Sequence, residues 1–265
     1  MDTIQNRISV CTTALILFSL VFSGCGAGGK GMFRLRAENW QPEPGGSIRA
    51  TDLEDPIDLE EVLGLRGDEN FWVYGIEGDM GIGTYEVTNI DYSSIGSSTL
   101  ASPIEFSGES FENDLQSDFQ VEVSTYRSKG ALLGVGPIMV KYIWGVDHLV
   151  LDTTLTGEFG GSPVTANQII DEWVPSFGLG ARFSTPIGNN WSLDLDGEVA
   201  GLWVSYGDID GTYEGLTLRA GIRQGNGMLI GVGHRSLVID VIDDGTGTSA
   251  DVDIGGSYAF LEWAF

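Results

Sequence analysis

The chain has 265 residues, and 13 Lys and Arg against 38 Asp and Glu give it a formal net charge of −25. This acidity argues against nucleic acid as a partner, because the phosphate backbone selects clustered Lys and Arg. Seven Trp, eight Tyr and twelve Phe supply enough apolar area to argue against a disordered chain. Two Cys and two His leave little material for a zinc cage or a disulfide framework, and we expect no cofactor.

The first 24 residues have the pattern of an export signal. Arg7 supplies a positive charge, and residues 10–22 form an apolar stretch shorter than the roughly 20 residues that a membrane helix needs. The sequence FSGC, which ends at Cys25, resembles a bacterial lipobox and implies lipidation of that cysteine. The alternative is ordinary signal-peptidase cleavage after Ala27. In either case we expect residues 25–32 to form a flexible tether.

The rest of the chain, residues 33–265, alternates apolar and polar residues with the period of a half-buried β-strand. One segment, residues 58–65 (DLEEVLGL), could instead form a short helix that starts after Pro56. The alternation predicts about ten strands, with eight as the alternative. The predicted strands cover residues 33–40, 70–77, 81–93, 116–128, 131–156, 172–184, 190–207, 211–223, 226–243 and 252–265.

The connections between these strands differ in length in a regular way. Every second connection is a tight turn, at residues 78–80, 129–130, 185–189 and 224–225. The longest connections are residues 41–69, 94–115 and 157–171. Transmembrane β-barrels have short periplasmic turns, longer outer loops and an even number of strands. We therefore predict an all-β fold, an antiparallel up-and-down transmembrane β-barrel of the bacterial outer membrane with acidic outer loops.

The last strand supports this prediction. Leu261, Trp263 and the final Phe265 share one face. This pattern resembles the terminal strand of Gram-negative outer-membrane barrels, which ends in an aromatic residue read by the barrel-assembly machinery. The resemblance implies that these three residues form an assembly signal and that this machinery is a partner. A vaguer resemblance covers residues 33–265: the motif Asp-Leu-x-x-x-Leu-Gly-Leu at residues 58–65 is similar to that of outer-membrane barrels without assigned function, and it implies no catalytic residues.

The alternation also assigns ionisable side chains to the barrel interior. The apolar face of each strand meets lipid, so the polar face lines the lumen, where buried charges have to be paired. Seven positive and eight negative side chains fall on that face, and we expect them to fill the lumen as a charge-paired network. They are Arg34, Arg36, Lys141, Arg182, Arg219, Arg223, Arg235, Glu38, Glu77, Glu86, Glu122, Asp194, Asp196, Glu198 and Glu262.

The two histidines and one acidic loop are the positions at which other chemistry could occur. His148 could approach Asp152, as in an acidic–histidine pair of a protease, and His234 shares a strand face with Ser236, as in a lipid deacylase. Neither pair lies in a recognisable motif, so we expect rim or lumen histidines and no catalytic residue. Weak calcium candidates, without the spacing of an EF-hand, are Asp243, Asp244, Asp251 and Asp253.

Three functions stay open on the sequence alone. The leading hypothesis is a non-enzymatic outer-membrane barrel with a structural or surface role, a filled lumen and at most limited passage of small solutes. Its expected partners are outer-membrane lipid and lipopolysaccharide, with divalent cations bridging lipopolysaccharide to the acidic surface. The alternatives are an outer-membrane enzyme acting on lipid or peptide, and an exported soluble β-sandwich or barrel that acts as a binding module.

Overall fold

The computed structural model describes residues 33–51, 54–67, 70–80, 83–206, 209–225, 227–243 and 247–265. The chain divides into two units, residues 1–30 and 31–265. The export signal, Cys25 and the tether predicted for residues 25–32 lie outside the described residues. The strands are β1 Phe33–Arg49, β2 Ile57–Asp58, β3 Phe71–Asp79, β4 Thr84–Thr99, β5 Ile104–Phe106, β6 Glu109–Val135, β7 Ile138–Phe159, β8 Ser162–Pro186, β9 Trp191–Tyr206, β10 Ile209–Gln224, β11 Met228–Asp243 and β12 Thr248–Ala264.

Ten of these strands form a closed antiparallel ring. Their order is β1-β3-β4-β6-β7-β8-β9-β10-β11-β12, and β12 pairs back onto β1 from Arg34↔Ala264 to Arg49↔Ser249. The other two strands are short additions, β2 on β1 and β5 on β6. The prediction of a ten-stranded up-and-down barrel is therefore confirmed over the described residues, and the eight-stranded alternative is wrong.

The strand register fixes the tilt of the barrel. A path along directly paired residues leaves β1 at Phe33, crosses Trp144 on β7 and Glu214 on β10, and returns to β1 at Gly45. The return point lies twelve residues beyond the start. With strands spaced about 4.8 Å apart and a rise of about 3.3 Å per residue, this stagger tilts ten strands by about 40° to the barrel axis. That value is typical of transmembrane barrels.

Three strands are much longer than a membrane requires. β6, β7 and β8 have 27, 22 and 25 residues, whereas a transmembrane strand needs about 9–11. The predicted long loops are therefore wrong in two places: residues 94–115 are mostly strand, and β7 and β8 are joined at their tip by Gly160 and Gly161 alone. We take the end with the tight turns as periplasmic, so these strands project from the extracellular side.

The segment predicted as a short helix, residues 58–65, is a compact turn. The Asp58 carboxylate accepts the backbone N–H groups of Glu60 and Glu61 at 2.9 and 2.6 Å, and the N–H of Leu65 bonds the carbonyl of Leu59 at 3.0 Å. Two i→i+4 bonds form, from the N–H of Val62 to the carbonyl of Asp58 at 3.2 Å and from the N–H of Gly64 to that of Glu60 at 3.1 Å, but they do not continue into a helix, and residues 59–63 are a turn. Over the described part of the chain, no helix has the length and apolarity to cross a membrane.

The outer wall of the periplasmic half is apolar. On β10, Leu218 and Ile222 point outward and are 46% and 44% exposed, whereas Arg219 between them points into the barrel. Further exposed wall residues of this belt are Trp72, Tyr74, Ile76, Tyr126, Trp144, Phe177, Leu179, Leu195, Ile230, Leu261 and Trp263. A closed barrel with such a belt satisfies its backbone hydrogen bonds internally and meets hydrocarbon with apolar side chains. The architecture therefore belongs in the bacterial outer membrane.

The interior of the extracellular half is apolar too, and there the outer wall is mostly polar, with Ile95 and Ile169 as exposed apolar exceptions. Phe119, Val121 and Val123 point inward from β6 and are fully buried, while Glu122 lies on the outer face. This half therefore resembles a soluble β-barrel with a hydrocarbon core. The prediction of a uniformly charged lumen holds only for the periplasmic half, because alternation marks two faces without saying which face is inside.

Candidate functional site

The interior charge network of the periplasmic half is the main cluster of ionisable groups. Among the described residues it comprises the cations Arg34, Arg36, Arg127, Lys129, Lys141, Arg182, Arg219, Arg223 and Arg235 and the anions Glu38, Glu77, Glu86, Asp147, Asp194, Asp196, Glu198 and Glu262. Nine positive charges thus face eight negative ones. Near-neutrality is what a desolvated interior requires, because an unpaired buried charge is very costly.

The upper part of the network runs from β11 to β4 through β1. Glu38 forms ion pairs with Arg235 and with Arg36, each at 2.7 Å, and Arg36 donates a hydrogen bond to Glu86 at 2.6 Å. Glu86 also pairs with Lys129 of β6. The guanidinium of Arg235 lies over the rings of Trp40 and Tyr258, at 5.8 and 5.4 Å from their centroids, which adds cation–π attraction where the network meets the apolar core.

The chain of pairs continues across the lumen to β7, β9 and β10. Lys129 bonds Glu198 at 2.6 Å, and Lys141 reaches both Glu198 at 2.5 Å and Asp196 at 2.8 Å. Arg219 closes this part through Asp196 at 3.1 Å. Because Glu86 and Glu198 each contact more than one cation, strands that are not neighbours in the ring are cross-linked by shared carboxylates.

A second branch lies nearer the periplasmic end. Asp194 accepts from Arg182 at 2.7 Å and from Arg223 at 2.8 Å, and Arg223 also bonds Glu262 at 3.0 Å. Arg34 pairs with Glu77 beside this branch. A cavity of about 490 Å³ opens among these groups and is lined by Lys129, Lys141, Arg182, Asp194, Arg223 and Glu262, among others.

One predicted member of the network is misplaced, and three members were missed. Glu122 lies on the outer wall of β6, where its carboxylate accepts a long bond of 3.4 Å from Asn89. The missed members are Lys129, which was assigned to a turn, and the pair Arg127–Asp147, a fork with bonds of 3.2 and 2.5 Å. Val123, Arg127 and Lys129 lie on the same face of β6. The two cations on that face could have indicated that it lines the lumen at the periplasmic end of the strand.

Above the network, the barrel is filled by an apolar core and capped by residues 54–67, which we call the strap. Leu59, Leu63 and Leu65 of the strap are fully buried. The strap is also hydrogen-bonded to the wall: Ser117 donates to the carbonyl of Leu63 at 2.8 Å, and Ser98 donates to that of Val62. The motif noticed at residues 58–65 therefore has a packing role in this chain.

Both histidines lie on the outer wall, outside the lumen. His148 does not approach Asp152, whose carboxylate accepts from Asn167 at 2.6 Å. Its partner is Asp171 on β8, at 2.7 Å, a contact across strands that spacing along one strand could not predict. The His234 side chain is exposed within the apolar belt, and the nearby Ser236 donates to Asp253 at 3.3 Å instead.

The remaining predicted positions are on the exterior. Asp251 and Asp253 are exposed on the outer face of β12, while Asp244 and the side chain of Asp243 lie outside the described part. Within the described residues, no group of three or more potential ligands is placed to hold a metal ion. Leu261, Trp263 and Phe265 face outward at the periplasmic end, where the N–H of Phe265 donates to the carbonyl of Phe33 at 2.9 Å and closes the seam between β12 and β1.

Comparison with known proteins identifies the fold and no family. No protein-family model and no curated protein matches the chain. Among solved structures, the outer membrane protease OmpT from Escherichia coli is similar, with a TM-score of 0.53 and 10% identity over 90% of this chain and 99% of that chain. The translocator domain of the autotransporter NalP from Neisseria meningitidis gives a TM-score of 0.43 and 13% identity over 98% of each chain. At such low identity, the likeness to OmpT establishes that the two chains share a barrel fold and nothing about catalysis.

Proposed function

We propose that this chain is a non-enzymatic, non-conducting barrel of the outer membrane, which has a structural role and carries a rigid polar wall above the membrane surface. The observation that supports the proposal is that the interior has two layers. The periplasmic half contains the charge network, and the extracellular half contains the apolar core. A solute entering from the periplasm meets a cross-linked set of ion pairs and then a hydrocarbon core sealed by the strap.

The electrostatics of the two layers support a closed barrel. Bringing an ion into the apolar layer requires its desolvation without a compensating partner, which costs many kcal/mol. A ten-stranded barrel is also only slightly wider than the eight-stranded size whose interior side chains just fill. Passage of small solutes, considered on the sequence alone, therefore has no support from the interior.

The arrangement of potential catalytic groups favours a non-enzymatic role. The interior carboxylates are held in ion pairs with arginines and lysines, so these contacts occupy the oxygens that a nucleophile or a general base would need. The histidine–carboxylate pair His148–Asp171 lies on the outer wall and not in the lumen. Incubation of the purified barrel with phospholipid vesicles and with unfolded protein should yield no hydrolysis, and turnover that disappears in His148→Ala would establish the enzymatic alternative instead.

Conductance in planar bilayers tests the proposal directly. The purified full chain, shown to be folded by heat-modifiable gel mobility, is added at the same molar loading as a sixteen-stranded porin. We expect no conductance steps from the chain, whereas the porin should open. Regular steps from the folded barrel would overturn the closed interior. A chain that stays monomeric in buffer without detergent would overturn the membrane assignment.

A further inference from the structure

Three aromatic rings form a continuous surface on the outer wall of β6, β7 and β8, which we call the aromatic shelf. The ring of His148 stacks on Trp173 with centroids 4.4 Å apart and planes 22° apart. Tyr126 stacks on the same tryptophan at 6.1 Å and 27°. Trp173 is 58% exposed and Tyr126 is 44% exposed, so the shelf presents ring faces and edges to its surroundings.

Polar groups surround the shelf and hold it in place. Asp171 bonds Nε2 of His148 at 2.7 Å while most of its carboxylate stays exposed, so it fixes the imidazole and keeps acceptor capacity. On the β4 side of the shelf, the amide of Asn89 donates to the hydroxyl of Ser124 at 3.0 Å. Ser124 is paired directly opposite His148. The aromatic surface thus has a carboxylate acceptor beside His148 and Trp173, and an amide and a hydroxyl group on its β4–β6 side.

The shelf lies where the outer wall changes from apolar to polar. Going outward from the membrane, the change falls between Val87 and Asn89 on β4, between Tyr126 and Ser124 on β6, and between Trp173 and Asp171 on β8. These positions mark the extracellular edge of the apolar belt. Aromatic side chains at that edge lie at the level of lipid headgroups.

The charges near the shelf select among headgroups. The lysines and arginines of β4, β6, β7 and β8 all point into the barrel; they are Arg127, Lys129, Lys141 and Arg182. The described outer wall of these strands carries carboxylates instead, among them Asp171 and Asp152. A phosphate group would be repelled there, whereas a neutral sugar could stack its weakly positive C–H face on the negative face of an aromatic ring.

We propose that the aromatic shelf binds a neutral hexose unit in the headgroup of an outer-leaflet glycolipid. The hexose stacks on Trp173, and its hydroxyls donate to the free acceptor positions of Asp171. This inference rests on the proposed orientation of the barrel, with the long strands outside the cell.

The test measures glycolipid binding by the full chain in nanodiscs. The probe is a diacylglycerol with a single glucose headgroup, diluted into phosphatidylglycerol, and bound lipid is counted by native mass spectrometry. We expect Trp173→Ala to lower glucolipid occupancy about fivefold, and Trp173→Phe, which keeps a smaller ring, to lower it less. Asp171→Asn should weaken binding without changing the shape of the site.

The matched control is Trp191→Ala, which removes a tryptophan that is 43% exposed at the periplasmic end of the belt. It should leave occupancy unchanged. Equal occupancy in Trp173→Ala and the parent barrel would overturn the proposal. So would equal binding of soluble maltose and the anchored glucolipid, because the site would then serve free saccharides.

The orientation is tested separately, so that its failure can be recognised. Ser162→Cys introduces a thiol at the exposed start of β8, and the parent chain without this substitution gives the background labelling. A membrane-impermeant maleimide should label the introduced thiol on intact cells. Labelling only after lysis would refute the orientation, whereas surface labelling together with unchanged glucolipid occupancy in Trp173→Ala would refute the shelf alone.

Discussion

Val123 and Lys129 point into the barrel from the same face of β6, six residues apart, yet Val123 lies in a hydrocarbon core and Lys129 lies between two carboxylates. One continuous strand therefore lines two kinds of interior, an apolar core like that of a soluble protein and a lumen filled with ion pairs. No register shift occurs between the two residues. The outer wall changes in the opposite sense, because the part that meets lipid must be apolar and the part that meets water need not be.

The shared carboxylate of Glu86 provides the first prediction. Glu86→Gln removes the charge that pairs with both Arg36 and Lys129, and leaves those buried cations with too few anions. We expect a loss of about 3–5 kcal/mol in the free energy of unfolding, the usual cost of breaking a buried ion pair. Urea titration in detergent micelles, followed by gel mobility, measures this loss.

The same substitution at Glu122 is the control. Glu122 is on the outer wall of β6, directly opposite another carboxylate, Asp91 of β4. Removing one of two facing like charges should change the free energy of unfolding by no more than about 0.5 kcal/mol, and in the stabilising direction. Similar losses at Glu86 and Glu122 would contradict the division of the wall into an inner charged and an outer polar row.

The sequence was sufficient for the ring and for most of the charged interior, for a physical reason. In the periplasmic half, the face of each strand that meets lipid has to be apolar. A face that carries charges, such as the one with Asp194 and Asp196, therefore lines the lumen. In the extracellular half the apolar row faces the interior and the polar row faces outward, the reverse of the periplasmic half, so alternation alone no longer identifies the inside. Glu122 was misassigned there, because on that part of β6 the apolar residues point into the barrel and the polar ones point outward.

Contacts between residues on different strands could not be predicted in this way. The pair of His148 and Asp171 joins residues that are 23 positions apart, and it depends on the register between β7 and β8. Alternation gives the face of each residue but not which residue stands beside it on the next strand. The position of the strap could not be predicted either, because three leucines in an acidic loop do not show which part of the barrel they pack against.

Gly96 provides the second prediction, which concerns the strap. A Cβ on Gly96 would overlap the carbonyl oxygen of Leu63 and the hydroxyl of Ser117, the two groups whose hydrogen bond holds the strap. Gly96→Ala should therefore displace the strap and cost about 1–3 kcal/mol, as overpacking usually does. Hydrogen exchange should accelerate at the amide of Leu65 and stay slow in the periplasmic half.

Gly45→Ala is the matched control for this experiment. A Cβ at Gly45 would meet only the carbonyl oxygen of Asp253, at an ordinary 3.8 Å. The substitution should be neutral or stabilise the strand by about 0.5–1 kcal/mol, because alanine loses less backbone entropy on folding than glycine. Unchanged exchange at Leu65 in Gly96→Ala would show that the strap is not held against that wall.

Phe265 provides the third prediction, which separates assembly from stability. Its backbone exchanges two hydrogen bonds with Phe33, of 2.9 and 3.2 Å, and its ring lies 6.3 Å from the Phe33 ring. Phe265→Ala keeps the backbone bonds and removes only a side chain that is partly exposed on the outer wall. Refolding of the purified chain in detergent should therefore remain close to that of the parent, by the fraction with folded gel mobility.

In cells, the same substitution should lower the assembled fraction severalfold, because the ring is the feature that resembles an assembly signal. Trp191→Ala removes another aromatic from the periplasmic end and should leave assembly intact. If Phe265→Ala impaired refolding in detergent as much as assembly in cells, the ring would act through the stability of the β12–β1 seam, and recognition by an assembly machinery would not be needed to explain the loss.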